Sequence, residues 1–171
     1  MSINEIKFNE TKEIASSNLV TKRIHNFDMI LDLKSEGISR VLYHSGIREI
    51  IFMNLLHKEI NEGDVCIDLG SNIGYTTLFM CEKVGNSGKV YAIEPDPYNV
   101  NLLTKNIEKN NFKNVCEIFP IAVTDYKGKI NFWQSDKSNL SSVQKTKHSN
   151  NSIEVACAAV SSFLEDREYP N

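Results

Sequence analysis

No block of five or six like charges occurs in these 171 residues. The 22 acidic and 19 basic side chains are spread along the chain for a net charge of -3. Nothing is built to attract a run of phosphates, and nucleic acid is not the expected partner. No apolar run approaches the ~18 residues needed to cross a bilayer, and residues 1–14 mix Glu, Asn and Lys without the apolar core of an export signal. A soluble, cytoplasmic chain with no membrane partner is expected. Cys66, Cys81, Cys116 and Cys157 form no C-x-x-C pair, and apolar neighbours such as Val65 and Ile67 suit reduced, buried thiols. His25, His44, His57 and His148 show no metal-ligand spacing, so no metal is expected. There is no internal repeat, and the length leaves no room for a second full domain beside one of ordinary size.

What is present is a change of pattern near residue 63. Residues 1–26 are polar and weakly periodic and read as a loose arm or short strands. Phe27, Met29, Ile30 and Leu31, then Ile38, Val41 and Leu42 across a Ser35-Glu36-Gly37 turn, predict a two-stranded hairpin. Residues 48–60 predict a helix whose apolar stripe is Ile51, Leu55, Leu56 and Ile60. From Asp64 onward strand and helix alternate: a doubly buried strand at 65–69, a helix at 73–84, a strand at 90–93 and a helix at 97–110. That last helix has Asp96 as N-cap, Pro97 at its first position and an inner stripe of Val100, Leu103 and Ile107. A third strand at 115–123, another at 129–133, a polar loop at 135–152, a strand at 153–160 and one helical turn at 162–165 complete the pattern. The expected organisation is an arm, hairpin and helix at 1–62 followed by an α/β, Rossmann-like, doubly wound domain at 63–171.

The segment that carries chemistry is Asp68-Leu69-Gly70-Ser71-Asn72-Ile73-Gly74, where a buried strand hands over to a helix. Gly70 and Gly74 allow a tight turn and close approach of a ligand, and the helix N-terminus offers free N–H groups to an anion. Glu94 ends the following strand, where an acid accepts hydrogen bonds from ribose hydroxyls. The dinucleotide fingerprint G-x-G-x-x-G is not met, because Asn72 holds its second glycine position. Asp68 would repel a pyrophosphate, whereas it suits the ammonium and sulfonium of S-adenosylmethionine; NAD is the poorer fit. Arg48 and Glu49 read first as a helix-start charge pair, with a functional pair near the site as the alternative. Phe132 and Trp133 read as core aromatics rather than a ligand cover.

These residues resemble the FkbM-type methyltransferases, through Gly37-Ile38-Ser39-Arg40, Gly46-Ile47-Arg48-Glu49, the block from Gly63 to Tyr75, and Val90-Tyr91-Ala92-Ile93-Glu94-Pro95. The resemblance implies a class I, Rossmann-like fold with S-adenosylmethionine as methyl donor. It places Asp68, Gly70, Ser71, Asn72 and Gly74 around the methionine part, Glu94 on the ribose and Ala122 near the adenine. It also implies O-methylation, and a hydroxyl on a sugar or other small molecule is the expected acceptor. Family members continue past a segment like Ser162-Phe163-Leu164 into a fourth strand. The resemblance therefore implies that one crevice wall and most of the acceptor pocket lie outside these residues, and no catalytic base is assigned. The expected consequence is an incomplete enzyme that self-associates through the exposed edge at 65–69. The rival expectation is a non-catalytic, truncated nucleoside-binding module derived from a methyltransferase.

Overall fold

The computed structural model describes residues 18–135, 137 and 140–164. The expected arm at 1–17 and the end of the last helical turn at Glu165 lie outside the described residues. In chain order the elements are β1 (Leu19–Ile24), β2 (Phe27–Asp32), α1 (Ile38–Ser45), α2 (Ile50–Glu59), β3 (Val65–Leu69), α3 (Tyr75–Val84) and β4 (Lys89–Ile93). There follow α4 (Pro97–Lys109), β5 (Cys116–Phe119), β6 (Ala122–Val123), β7 (Gly128–Gln134), β8 (Asn151–Ala158) and α5 (Val160–Leu164). They form an antiparallel hairpin β1-β2, a parallel sheet β3-β4-β5, and a second sheet β6-β8-β7 in which β6 runs parallel and β7 antiparallel to β8.

β4 is the centre of the molecule. Its residues alternate between two cores, Val90 and Ala92 facing α3 and α4, Tyr91 and Ile93 facing Phe119, Ile121 and Ala158. This is the double burial expected of a parallel strand. β3 lies at the sheet edge among the described residues, with Val65, Cys66 and Ile67 half-buried. Asp96 caps α4 as its sequence requires, accepting the Tyr98 N–H at 3.0 Å with Pro97 behind it.

The N-terminal part departs from expectation. The hairpin is formed by β1 and β2 around the two-residue loop His25-Asn26, with Ile24 opposite Phe27, while the stretch read as its second strand is α1. Ile38 and Leu42 are buried one helical turn apart, and Gly46 at φ 69 closes the helix by giving its N–H to the Leu42 carbonyl. In α2 the expected stripe is split: Leu56 packs against the core and Ile60, just past the helix, is buried as expected, whereas Ile51 is 88% and Leu55 52% exposed and Met53 is buried in their place. The helix carries two apolar stripes, and packing against α3 selects the one through Met53. The strand expected at 115–123 is broken at Pro120, which has no N–H to donate; β5 stays in the parallel sheet while β6 joins β8.

A second device organises the hairpin. The edge of β2 away from β1 is covered by amide side chains from α4 and its C-cap. Asn106 Oδ1 accepts the Ile30 N–H at 2.6 Å and its Nδ2 donates to the Ile30 carbonyl at 3.2 Å. Asn110 repeats the pattern with Asp28 at 3.0 and 3.1 Å. Four helical residues advance about 6 Å and two strand residues about 6.6 Å, so the two ladders match. Ser39 Oγ accepts the next N–H, that of Asp32, at 3.2 Å. Asn106 Nδ2 also donates to the Ile73 carbonyl at 2.8 Å, tying the hairpin to the loop after β3.

Candidate functional site

The site lies at the carboxyl ends of β3 and β4, where open α/β sheets place their ligands. Beyond Leu69 the chain turns at Gly70 (φ 80), and both Gly70 and Ser71 give their N–H groups to the Ile93 carbonyl, at 2.9 and 3.0 Å. Asn72 follows in the left-handed region at φ 49, and Gly74 at φ 94 caps α3. A Cβ on Gly70 would meet no atom within 4 Å, so its backbone presents an open face. A Cβ on Gly74 would stand 2.7 Å from Leu103 Cδ1. That glycine serves the contact between α3 and α4 and not an approach to ligand.

Glu94 is the hub of the turn. Its Oε2 accepts the Asn72 N–H at 2.8 Å, and its Oε1 accepts the Asp96 N–H at 2.9 Å and Asn99 Nδ2 at 3.3 Å. At 4% exposure, burial raises its pKa to about 7 from an ordinary 4.5, against the lowering effect of those three donors. A carboxylate offers about four acceptor sites, so with three taken about one is left for a ligand hydroxyl. Asp68 stands behind the turn, accepting Thr77 Oγ1 at 2.6 Å. Its carboxyl is pushed up by burial, pulled down by Thr77 and Ser71, and raised further by the nearby Glu49.

A cavity of about 270 Å³ opens here, lined by Gly70, Ser71, Asn72 and Glu94 together with Arg48, Glu49, Tyr75 and Phe132. Four of the expected residues, Gly70, Ser71, Asn72 and Glu94, are thus brought together. Asp68 and Gly74 support the turn from behind. Ala122 is not brought to the cavity: the break at Pro120 carries it into the second sheet, where it packs with Phe132, Val155 and Cys157. The expectation for Ala122 rested on an unbroken third strand. Arg48 and Glu49, whose functional pairing near the site was the alternative to a helix-start pair, line the cavity. Phe132 also reaches it, while being buried in a core cluster as expected.

A larger polar cavity of about 620 Å³ is lined by Asp32, Lys34, Tyr98 and Gln134, and by Asp96 and Asn99, both bonded to Glu94. All four histidines are exposed and line neither cavity. Among the described residues no cluster of His, Cys, Asp and Glu is able to hold a metal, and no helix is long and apolar enough to cross a membrane.

A parallel sheet with α3 and α4 packed on one face, a glycine turn after β3 and an acid just past β4 is a Rossmann-like arrangement. The model of the methyltransferase FkbM domain matches residues 68–171, more than half of the chain, and the chain belongs to that family. An uncharacterized protein of Methanocaldococcus jannaschii is 37% identical over 68 residues, 40% of this chain and 25% of that one. Protein-L-isoaspartate O-methyltransferase of Methanococcoides burtonii is 39% identical over 60 residues, 35% of this chain and 30% of that one. A solved Pyrococcus horikoshii structure, provisionally assigned as a transferase, superimposes with a TM-score of 0.50 at 20% identity, covering 63% of this chain and 37% of that one, a likeness of fold. The chain thus spans between a quarter and a third of the length of these two curated relatives.

Proposed function

We propose that the 270 Å³ cavity holds S-adenosylmethionine and that the protein takes part in O-methylation of a hydroxyl on a sugar or other small molecule. The observation that carries the cofactor assignment is Glu94, a buried carboxylate fastened to the Asn72 N–H with about one acceptor site left for the ribose. The donor set fits the ligand. Gly70 leaves an open backbone face, Asp68, Glu49 and Glu94 supply negative charge for a cationic ligand, and Arg48 supplies a positive group for its carboxylate. When bound, S-adenosylmethionine supplies a methyl group already activated by its sulfonium. The chain's own work is then to hold and orient, with Gly70 to Asn72 shaping the turn, Glu94 fixing the nucleoside and Phe132 excluding water from one side. The neighbouring polar cavity supports the hydroxylated acceptor, because its carboxylates and amides match groups that both donate and accept.

Calorimetry with S-adenosylmethionine, S-adenosylhomocysteine and NAD tests the cofactor, and ligand-observed NMR with monosaccharides and simple polyols, with S-adenosylhomocysteine present, tests the acceptor class. Heat with the first two ligands and none with NAD is expected; the reverse would sink the assignment.

Glu94 also makes binding pH-dependent. A ribose O–H donates to the ionised carboxylate, so binding draws its pKa down from about 7 and releases a fraction of a proton near neutrality. The signs for folding and binding are opposite. A carboxyl raised from 4.5 to about 7 contributes stability that is full below pH 4.5 and is lost as the pH rises through 7. Cofactor affinity instead rises over that interval. Binding enthalpies at pH 7 in buffers of different ionisation enthalpy should differ accordingly, and identical values would remove Glu94 from the ribose site.

A further inference from the structure

The ion pair that opens α2 lies outside the residues matched by the family model, 68–171, and the local fold does not explain it. Glu49 sits at φ 53, ψ 45, in the left-handed region that favours glycine or asparagine, and caps the helix without its side chain accepting any N–H. A glutamate is therefore a poor choice for the backbone it occupies. Backbone strain of this kind persists where the surroundings hold it. Here the Tyr75 hydroxyl accepts the Arg48 N–H and donates to the Arg48 carbonyl, both at 3.2 Å, which pins the loop to the first residue of α3.

Arg48 Nε donates to Glu49 Oε1 at 2.8 Å, with the two side chains 26% and 47% exposed. Among the described residues this is the one hydrogen bond either charged group makes. The guanidinium Nη groups and Glu49 Oε2 are left for something else. An ion pair this exposed contributes little to stability. Both residues line the cavity of Gly70, Ser71 and Asn72, and Glu49 is close enough to Asp68 to raise its carboxyl pKa. The corner thus presents the Glu49 carboxylate beside one fork of N–H donors.

We propose that Arg48 and Glu49 clamp an α-amino-acid zwitterion, the Nη groups taking its carboxylate and Glu49 Oε2 its ammonium, and that this zwitterion is the methionine end of S-adenosylmethionine. The proposal rests on the cofactor reading above. The planar guanidinium suits a carboxylate through two parallel bonds while its Nε stays on Glu49, so the pair is preorganised and needs no rearrangement to bind.

The test uses the whole chain and two probes in calorimetry: S-adenosylhomocysteine, which carries the amino-acid end, and 5′-methylthioadenosine, which lacks it. Arg48→Met and Glu49→Gln are each expected to weaken S-adenosylhomocysteine at least about tenfold, as loss of charge-assisted bonds does, and to leave 5′-methylthioadenosine within about twofold. Glu49→Gly, which suits the left-handed backbone, should melt no lower than the wild type yet bind S-adenosylhomocysteine as poorly as Glu49→Gln. Equal weakening of both probes, or none, overturns the clamp while leaving the cofactor reading intact. So does a Glu49→Gly variant that melts lower and keeps its affinity. Wild-type protein that binds neither probe overturns the cofactor reading and the clamp with it.

Discussion

Replacing Glu94 with alanine is expected to weaken S-adenosylhomocysteine binding by about 1.5–3 kcal/mol, the range for losing hydrogen bonds to a charged group, and adenosine binding by the same factor. The equality follows from where the carboxylate sits. It meets the ribose, which both ligands share, and it also accepts the Asn72 and Asp96 N–H groups and Asn99 Nδ2. Without it the Asn72 N–H loses its acceptor and the turn after β3 is no longer fastened to β4. Removing the buried charge relieves a desolvation penalty above pH 7, so the melting temperature should fall less at pH 8 than at pH 5. Wild-type affinity for both ligands in this variant would take Glu94 out of the site. Loss for S-adenosylhomocysteine alone would move it from the ribose to the amino-acid end.

Gly88→Ala is expected to be the most damaging small substitution in the chain for stability, at about 3 kcal/mol or more, the upper end for forced overpacking. Gly88 lies in the turn between α3 and β4, and an added Cβ would fall 2.5 Å from both the Asp64 carbonyl oxygen and Val84 Cβ and 2.8 Å from the Val84 carbonyl oxygen. Two of the three obstacles are backbone atoms, and Val84 is completely buried, so none moves aside cheaply. Gly46→Ala provides the contrast: φ is 69 but nothing lies within 4 Å of the new methyl, so only the left-handed strain of about 1–2 kcal/mol applies. Urea denaturation of the two variants checks the order. A Gly88→Ala protein as stable as Gly46→Ala would show that the turn yields.

The half of the fold around β3, α3, β4 and α4 was legible in the sequence because its signals are local and agree. Val65, Cys66 and Ile67 run into Gly70, Asp96 and Pro97 mark a helix start, and Val100, Leu103 and Ile107 repeat at helical spacing. The hairpin was hidden because β1 reads Leu-Val-Thr-Lys-Arg-Ile, with only its final residue fully buried, and its partner's other edge is satisfied by side chains from some 80 residues away. Ile38, Val41 and Leu42 were ambiguous for the usual reason that a short apolar run serves either period. The turn chemistry of Gly70 to Glu94 was readable as a motif. That Phe132 meets it was not, since proximity between residues as far apart as Asn72 and Phe132 leaves no trace in spacing.

Asn106 holds β2 by both faces of its amide and the loop after β3 by its second hydrogen. The hairpin is therefore no appendage that can be exchanged freely among relatives. A chimaera that takes α4 from one protein and β2 from another would need both partners of the amide ladder to come from the same parent. The match to the family model begins at Asp68, but the unit that must be inherited together to keep the turn in shape reaches back to the hairpin. Grafting the cradle onto a new scaffold means carrying residues 19–32 along with it.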